Sequence, residues 1–260
     1  MLDVFALHAA PLETFFLVWM RCSVIVMVMP IFGATQIPAV VRVSLAFIIS
    51  FVVWRTVPTI AQLRSLDELA LALLSQFTIG ILFGFVTQLV FMGVQFAGEI
   101  MDVQIGFAVA NVINPTTQQS VTIIGELQLA IATLIFLLSD SHLLYFEGLA
   151  GSFNLLPLPW MQLTFGAQTS IVLFFTQALL IVLKIAAPAV ITMFLVNVAI
   201  AFLAKVAPQM NIFVIGFPIQ IGVGLFMIAL TLPLLGYALP NLFGQVPRQL
   251  DTLMRSLVPG

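Results

Sequence analysis

Few side chains in this chain are placed to do chemistry. Glu99 and Asp102 stand three residues apart, so a helix would present both carboxylates on one face. Paired carboxylates suit acid–base or metal work, yet no His or Cys lies near them, and Gln104 and Asn111 follow instead. The pattern reads as a polar surface on a subunit junction. Arg21, Glu126 and Lys184 fall deep inside apolar runs. In lipid such a charge costs at least about 2.5–3.5 kcal/mol, so each needs a partner or a water path. A proton relay normally strings several carboxylates together, and here only Glu126 sits within a span. Pairing between helices or subunits is therefore the preferred reading, with a relay and snorkelling to an interface as the alternatives. Arg21 and Lys184 are each expected to meet a carboxylate or a cluster of helix-end carbonyls, in this chain or a neighbour. Lys205 joins this set of charges within apolar sequence.

Catalytic signatures do not appear. The chain has no G-x-S-x-G elbow, no H-E-x-x-H and no phosphate-binding G-x-x-x-x-G-K-[ST]. A Ser-His protease would need His142 opposite a marked Ser, and His8 and His142 are the only histidines. The expectation is no enzyme, no cofactor and no metal site. Cys22 is the only cysteine, so no intrachain disulfide forms.

The elements that carry these residues belong to a membrane. Of 260 residues, 62% are hydrophobic and 7% charged, against about 25% charged in a soluble domain, so the chain cannot cover itself with a solvated surface. Apolar stretches near the roughly 20 residues that span a bilayer recur throughout. The class is polytopic all-α membrane protein. A net charge of −2 implies nothing about nucleic acid. No Lys or Arg precedes Arg21, so the first apolar run reads as a helix of the mature protein rather than a cleaved signal.

Helices are expected over about 12–30, 39–57, 66–98 and 119–139, with a connector and a short helix in 145–160. Ser65 and Glu68 have the spacing of a capping box. The third helix is too long for one perpendicular span. Within it, Gly80 and Gly84 form a small-xxx-small pair that admits a close neighbour. A fifth apolar tract, 168–207, is expected to break or kink at Pro188, which lacks an N–H. Further breaks are expected at Pro30, Pro38, Pro208, Gly216 and Pro218, before an apolar run over 213–239. Irregular backbone at membrane depth survives only when buried in protein or lining a cavity. The chain is thus either a transporter with discontinuous helices or a subunit whose breaks are covered by partners. Basic residues do not alternate between connectors, which argues against a simple serpentine. A subunit of that kind should co-purify with partners and be unstable alone, whereas a transporter should be stable by itself.

The stretch "APQMNIFVIGFPIQIGVG" (207–224) resembles the signature of the FliR/SpaR/YscT family, the R component of the flagellar and type III secretion export gate. "RCSVIVMVMPIFGATQIPAVVRVSLA", "AGEIMDVQIGFAVANVINP" and "FNLLP" resemble further family segments in order and spacing, so the likeness covers essentially the whole chain. The wording "PQMNIFVIGFP" favours the flagellar branch. One departure is "SDSH" at 139–142, where the family often has a glycine before the histidine.

The resemblance implies a single domain, like a fusion of a P-like part (about 1–165) and a Q-like part (about 166–260). One R copy would join five P and four Q copies in a closed helical ring in the basal body, largely above the inner-membrane plane. The B component would wrap the entrance, and the A component and rod proteins would be further partners. Unfolded flagellar polypeptides would pass through the centre. In that setting Arg21, Glu99, Asp102, Glu126, Lys184 and Lys205 are expected as buried charges in subunit contacts. The segment 104–121 is expected to be a plug. Gly106 and Pro115 discourage a continuous helix, and Phe107, Val109, Val112 and Ile113 supply apolar contacts. Asn111, Asn114, Thr116, Thr117, Gln118 and Gln119 are neutral polar residues that tolerate passing water and polypeptide. The R subunit is expected to contribute a single loop of this kind to the closed pore.

Overall fold

The computed structural model describes residues 2–32, 37–60, 63, 65–107, 122–159, 167–209 and 211–257. Among them the chain forms seven helices and no strand: α1 (Leu2–Val28), α2 (Ala39–Trp54), α3 (Leu66–Ile105), α4 (Ile123–Leu138), α5 (Ser141–Leu155), α6 (Ala167–Val206) and α7 (Ile212–Leu257). Apolar sequence favours helix because each backbone group then finds its partner within the segment. Four helices are long and apolar enough to cross a membrane. At 1.5 Å per residue the 40 residues of α3 and of α6 extend roughly 60 Å, about twice the bilayer core.

Local signals set several helix ends. Ser65 Oγ accepts the Glu68 N–H at 3.2 Å, and Asp67 and Glu68 occupy the first turn of α3, where acidic residues complement the helix dipole. α3 ends at Gly106, whose φ of 94° suits glycine. Pro38 precedes α2 with ψ of 140°, Pro30 follows the end of α1, and Pro208 lies in the turn between α6 and α7. Between α4 and α5 Asp140 adopts φ of 55°.

Three expected breaks are corrected. α6 runs unbroken through Pro188, and α7 contains Gly216 and Pro218 within its opening turns. A proline removes one N–H, so Pro188 and Pro218 each cost the helix a single bond, to the carbonyls of Lys184 and Val214. Abandoning the helix would strand many more groups in apolar surroundings. Of the connector and short helix expected over 145–160, residues 145–155 are helix, as part of α5.

Two compact units divide the chain. The first comprises Met1–Leu89, His142–Phe175 and Gly244–Gly260; the second comprises Val90–Ser141 and Thr176–Phe243. In the first, α2 packs along α1 through edge-on rings: Phe15 lies 5.4 Å from Phe47 and 5.8 Å from Trp54. α1 also crosses α3 at the two glycines of the small-xxx-small pair. A Cβ on Gly80 would lie 2.8 Å from Val24 Cβ, and one on Gly84 2.5 Å from Val28 Cβ. The nearest obstruction is Val28 Cβ, which no rotamer change moves, so Gly84→Ala is expected to cost toward the upper end of the about 1–3 kcal/mol of an overpacked contact. A thermal midpoint at or above the parent's would count against that crossing.

In the second unit Phe91, Phe136 and Phe243 from α3, α4 and α7 meet with ring centres 4.9–5.4 Å apart. A second cluster joins Met101 and Ile105 of α3 to Ile124 of α4, Ala186 and Met193 of α6, and Ile228 of α7.

Candidate functional site

The site is the root of the segment expected to be the plug. Gly106 and Phe107 are described; Val109, Asn111, Val112, Ile113, Asn114, Pro115, Thr116, Thr117, Gln118 and Gln119 lie outside the described residues. On the upstream side the last turn of α3 closes with Gly106 and Phe107 both donating to the Asp102 carbonyl at 3.1 Å. This turn rests on α7. A Cβ on Gly106 would lie 3.4 Å from the Phe217 ring and 3.6 Å from Gln220 Oε1, and a Cβ on Gly224 would collide with the Ile105 side chain. Gln220 in turn donates to Asn197 Oδ1 of α6 at 2.6 Å, an amide pair inside otherwise apolar helix faces.

On the downstream side α4 begins against α3. The Asp102 carboxylate, 3% exposed, accepts the Ile124 N–H at 3.0 and 3.2 Å and that of Gly125 at 3.4 Å. One turn earlier the backbones almost touch: a Cβ on Gly98 would lie 2.6 Å from Gly125 Cα. Gln128, fully buried, donates to Met101 Sδ at 3.3 Å. The arrangement can hold both ends of a neutral segment on one rigid helix end.

The charges separate into two groups. Arg21 and Asp102 are enclosed by their own chain. Arg21 has no exposed surface. Its Nε donates to Gln76 Oε1 at 2.8 Å, Nη1 to the Ser152 carbonyl and hydroxyl at 3.1 and 3.2 Å, and Nη2 to the Leu156 carbonyl at 2.9 Å. The guanidinium also lies over the Phe153 ring at 4.1 Å. Thus a cation sits at the C-terminal end of α5, where the helix dipole is negative; the Ser152 carbonyl also accepts the Leu156 N–H at 2.9 Å, so the guanidinium adds a second donor there. Glu126, Lys184 and Lys205 are exposed and Glu99 is half-buried; Glu99 packs near Gly125 in the same unit as Asp102. Arg21 and Asp102 fall in different units, so the structure gathers these six charges into no common site.

Sequence reasoning missed Gly98, Gly125, Asn197 and Gln220. The amides carried a usable signal, being polar side chains inside long apolar runs. The Gly98–Gly125 pair carried none, since its members are far apart in sequence and each looks like any glycine.

The sequence profile of the bacterial export proteins, family 1, matches residues 12–246. The flagellar biosynthetic protein FliR of Bacillus subtilis (strain 168) is 29% identical over 232 residues, covering 88% of this chain and 90% of that protein. The FliR protein of Escherichia coli (strain K12) is 29% identical over 247 residues, 95% of this chain and 94% of its own. That of Pectobacterium carotovorum subsp. carotovorum is 30% identical over 237 residues, 89% of each. With a profile match running over most of its length, the chain belongs to the bacterial export proteins, family 1.

Proposed function

We propose that this chain is the R subunit of the flagellar export gate and that its 104–121 segment seals the closed channel. Family membership makes it a flagellar export component and a multi-pass protein of the bacterial inner membrane. The finer reading has one R copy joining five P-like and four Q-like subunits in a ring held largely above the membrane plane. The B component wraps its entrance, with the A component and rod proteins as neighbours, and unfolded polypeptide passes through. In this reading residues up to about 165 are the P-like part and the rest the Q-like part. Outward-facing Leu183, Phe194, Phe202, Phe226, Leu230 and Leu234 support burial against partners, because so much exposed apolar surface is unstable in water. Glu126, Lys184 and Lys205 are exposed, which supports their meeting those partners in this reading.

The observation that carries the seal is charge. No acidic or basic residue falls between Asp102 and Glu126, so this stretch does not sort passing segments by sign. Its root is held at both sides by buried contacts, which gives a loop something firm to hang from. Ion leakage across membranes of cells carrying a deletion within 106–119 tests the reading. Increased leakage is expected with the gate still assembled. A membrane as tight as the parent's, with assembly intact, would refute the seal.

A further inference from the structure

We propose that Asp102 is a clasp: one residue that holds the end of α3 and the start of α4 together and so fixes where the intervening segment leaves and returns. Its backbone and side chain face opposite ends of that segment. The Asp102 carbonyl accepts Gly106 N–H and Phe107 N–H, both at 3.1 Å, and so shapes the departure. The carboxylate accepts Ile124 N–H and Gly125 N–H, and so fixes the return.

The cap on α4 is supplied from a distance. Thr122 occupies the N-cap position and has a hydroxyl suited to the task, yet it makes no side-chain cap hydrogen bond. The acceptor comes instead from a residue 22 positions earlier. Electrostatics accounts for the arrangement. A carboxylate in the last turn of α3 faces the negative end of its own helix, an unfavourable place. The free N–H groups and positive end of α4 offset this, so the carboxylate is well placed only while the two helix ends stay together. The approach of Gly98 to Gly125 one turn away admits α4 close enough for the bonds to form. Asp102 is thus a positioning residue, and the separation at the root is independent of the length of the loop. The consequence for channel tightness, unlike the clasp itself, rests on the seal proposed above.

The experiment uses the full chain in its assembled complex, with Cys22→Ala removing the native thiol. Spin labels at Val103 and Ile123, both exposed, report the separation by pulsed dipolar spectroscopy. The parent should give one narrow distance. Thr122→Ala should leave it unchanged, Asp102→Asn should keep it because the amide oxygen still accepts, and Asp102→Ala should replace it with a broad, longer distribution. If Asp102→Ala fails to assemble, an insertion of six Gly and Ser residues between Asn114 and Pro115 decides: the narrow distance should persist. A longer distance on insertion, or an unchanged one in Asp102→Ala, overturns the clasp. Ion leakage is read in parallel. If the loop deletion leaves membranes tight, the seal fails while the clasp stands on the distances. If the deletion leaks, and Asp102→Ala assembles with unchanged distances, the clasp fails and the seal stands.

Discussion

Arg21→Met is expected to cost the folded chain about 3–5 kcal/mol, the scale of losing one member of a buried charged network. Methionine nearly matches the stem in length and polarity, so the loss isolates the guanidinium. That group satisfies Gln76 Oε1 on α3 and the Ser152 and Leu156 carbonyls at the end of α5. The Ser152 carbonyl keeps the Leu156 N–H, so Gln76 Oε1 and the Leu156 carbonyl are the acceptors that lose their donor, at about 1–3 kcal/mol each. Among the described residues no carboxylate joins the set, so removing the arginine orphans dipoles rather than an opposite charge, which keeps the cost within that range. Arg21→Lys should recover only part, because one ammonium cannot reach acceptors arrayed around a planar fork. Gln76→Leu combined with Arg21→Met should cost less than the sum of the two, as expected for direct partners. The readouts are chain level in membranes and the melting midpoint of the detergent-purified complex. Parent-like values for Arg21→Met would remove Arg21 from any account of how α1, α3 and α5 hold together.

Gly98→Val is expected to prevent stable docking of α4, with a cost of at least about 3 kcal/mol for forcing apart well-packed backbones. Sign makes the test sharp. In an exposed helix Gly→Ala stabilises by about 1 kcal/mol. At Gly98 the added methyl meets Gly125 Cα at 2.6 Å, Gly125 N at 2.8 Å and Ile124 C at 2.9 Å, all backbone atoms that cannot rotate aside. Gly98→Ala should therefore lower stability. Gly236→Ala, where the new Cβ meets nothing within 4 Å, should leave it level or raise it. Equal responses at the two positions would mean that α3 and α4 do not approach as described.

The reach of sequence reasoning differed from residue to residue for physical reasons. Composition settled the helical membrane class because nothing else hides so much apolar surface. Arg21 stood out because an uncompensated charge is expensive, but its acceptors are carbonyls, which every residue carries and no pattern marks. Pro188 and Pro218 misled. A proline's missing N–H is legible, whereas the decision to continue a helix depends on what the other backbone groups would meet outside it. Asp102 was noticed for its spacing from Glu99, yet its partners are backbone N–H groups on another helix. Thr122 looks like the natural cap and hides that arrangement. Gly80 and Gly84 were legible as a pair because both lie on one helix at a fixed spacing; Gly98 and Gly125 lie on two. As for the loop itself, residues 108–121 remain a matter of composition, neutral and rich in Asn, Thr and Gln.

The first compact unit is assembled from the beginning, the middle and the last turns of the chain. Val246, Leu250 and Leu253 of its closing stretch are buried. Its interior is therefore completed only by residues 244–257, the last part of α7. When residue 243 has left the ribosome, every residue of the second unit exists, while the first still lacks the apolar side chains of that closing stretch. An insertase, a chaperone or a protease acting on the nascent chain meets that unfinished face until then. A stop after residue 243 leaves the second unit whole and the first without Val246, Leu250 and Leu253.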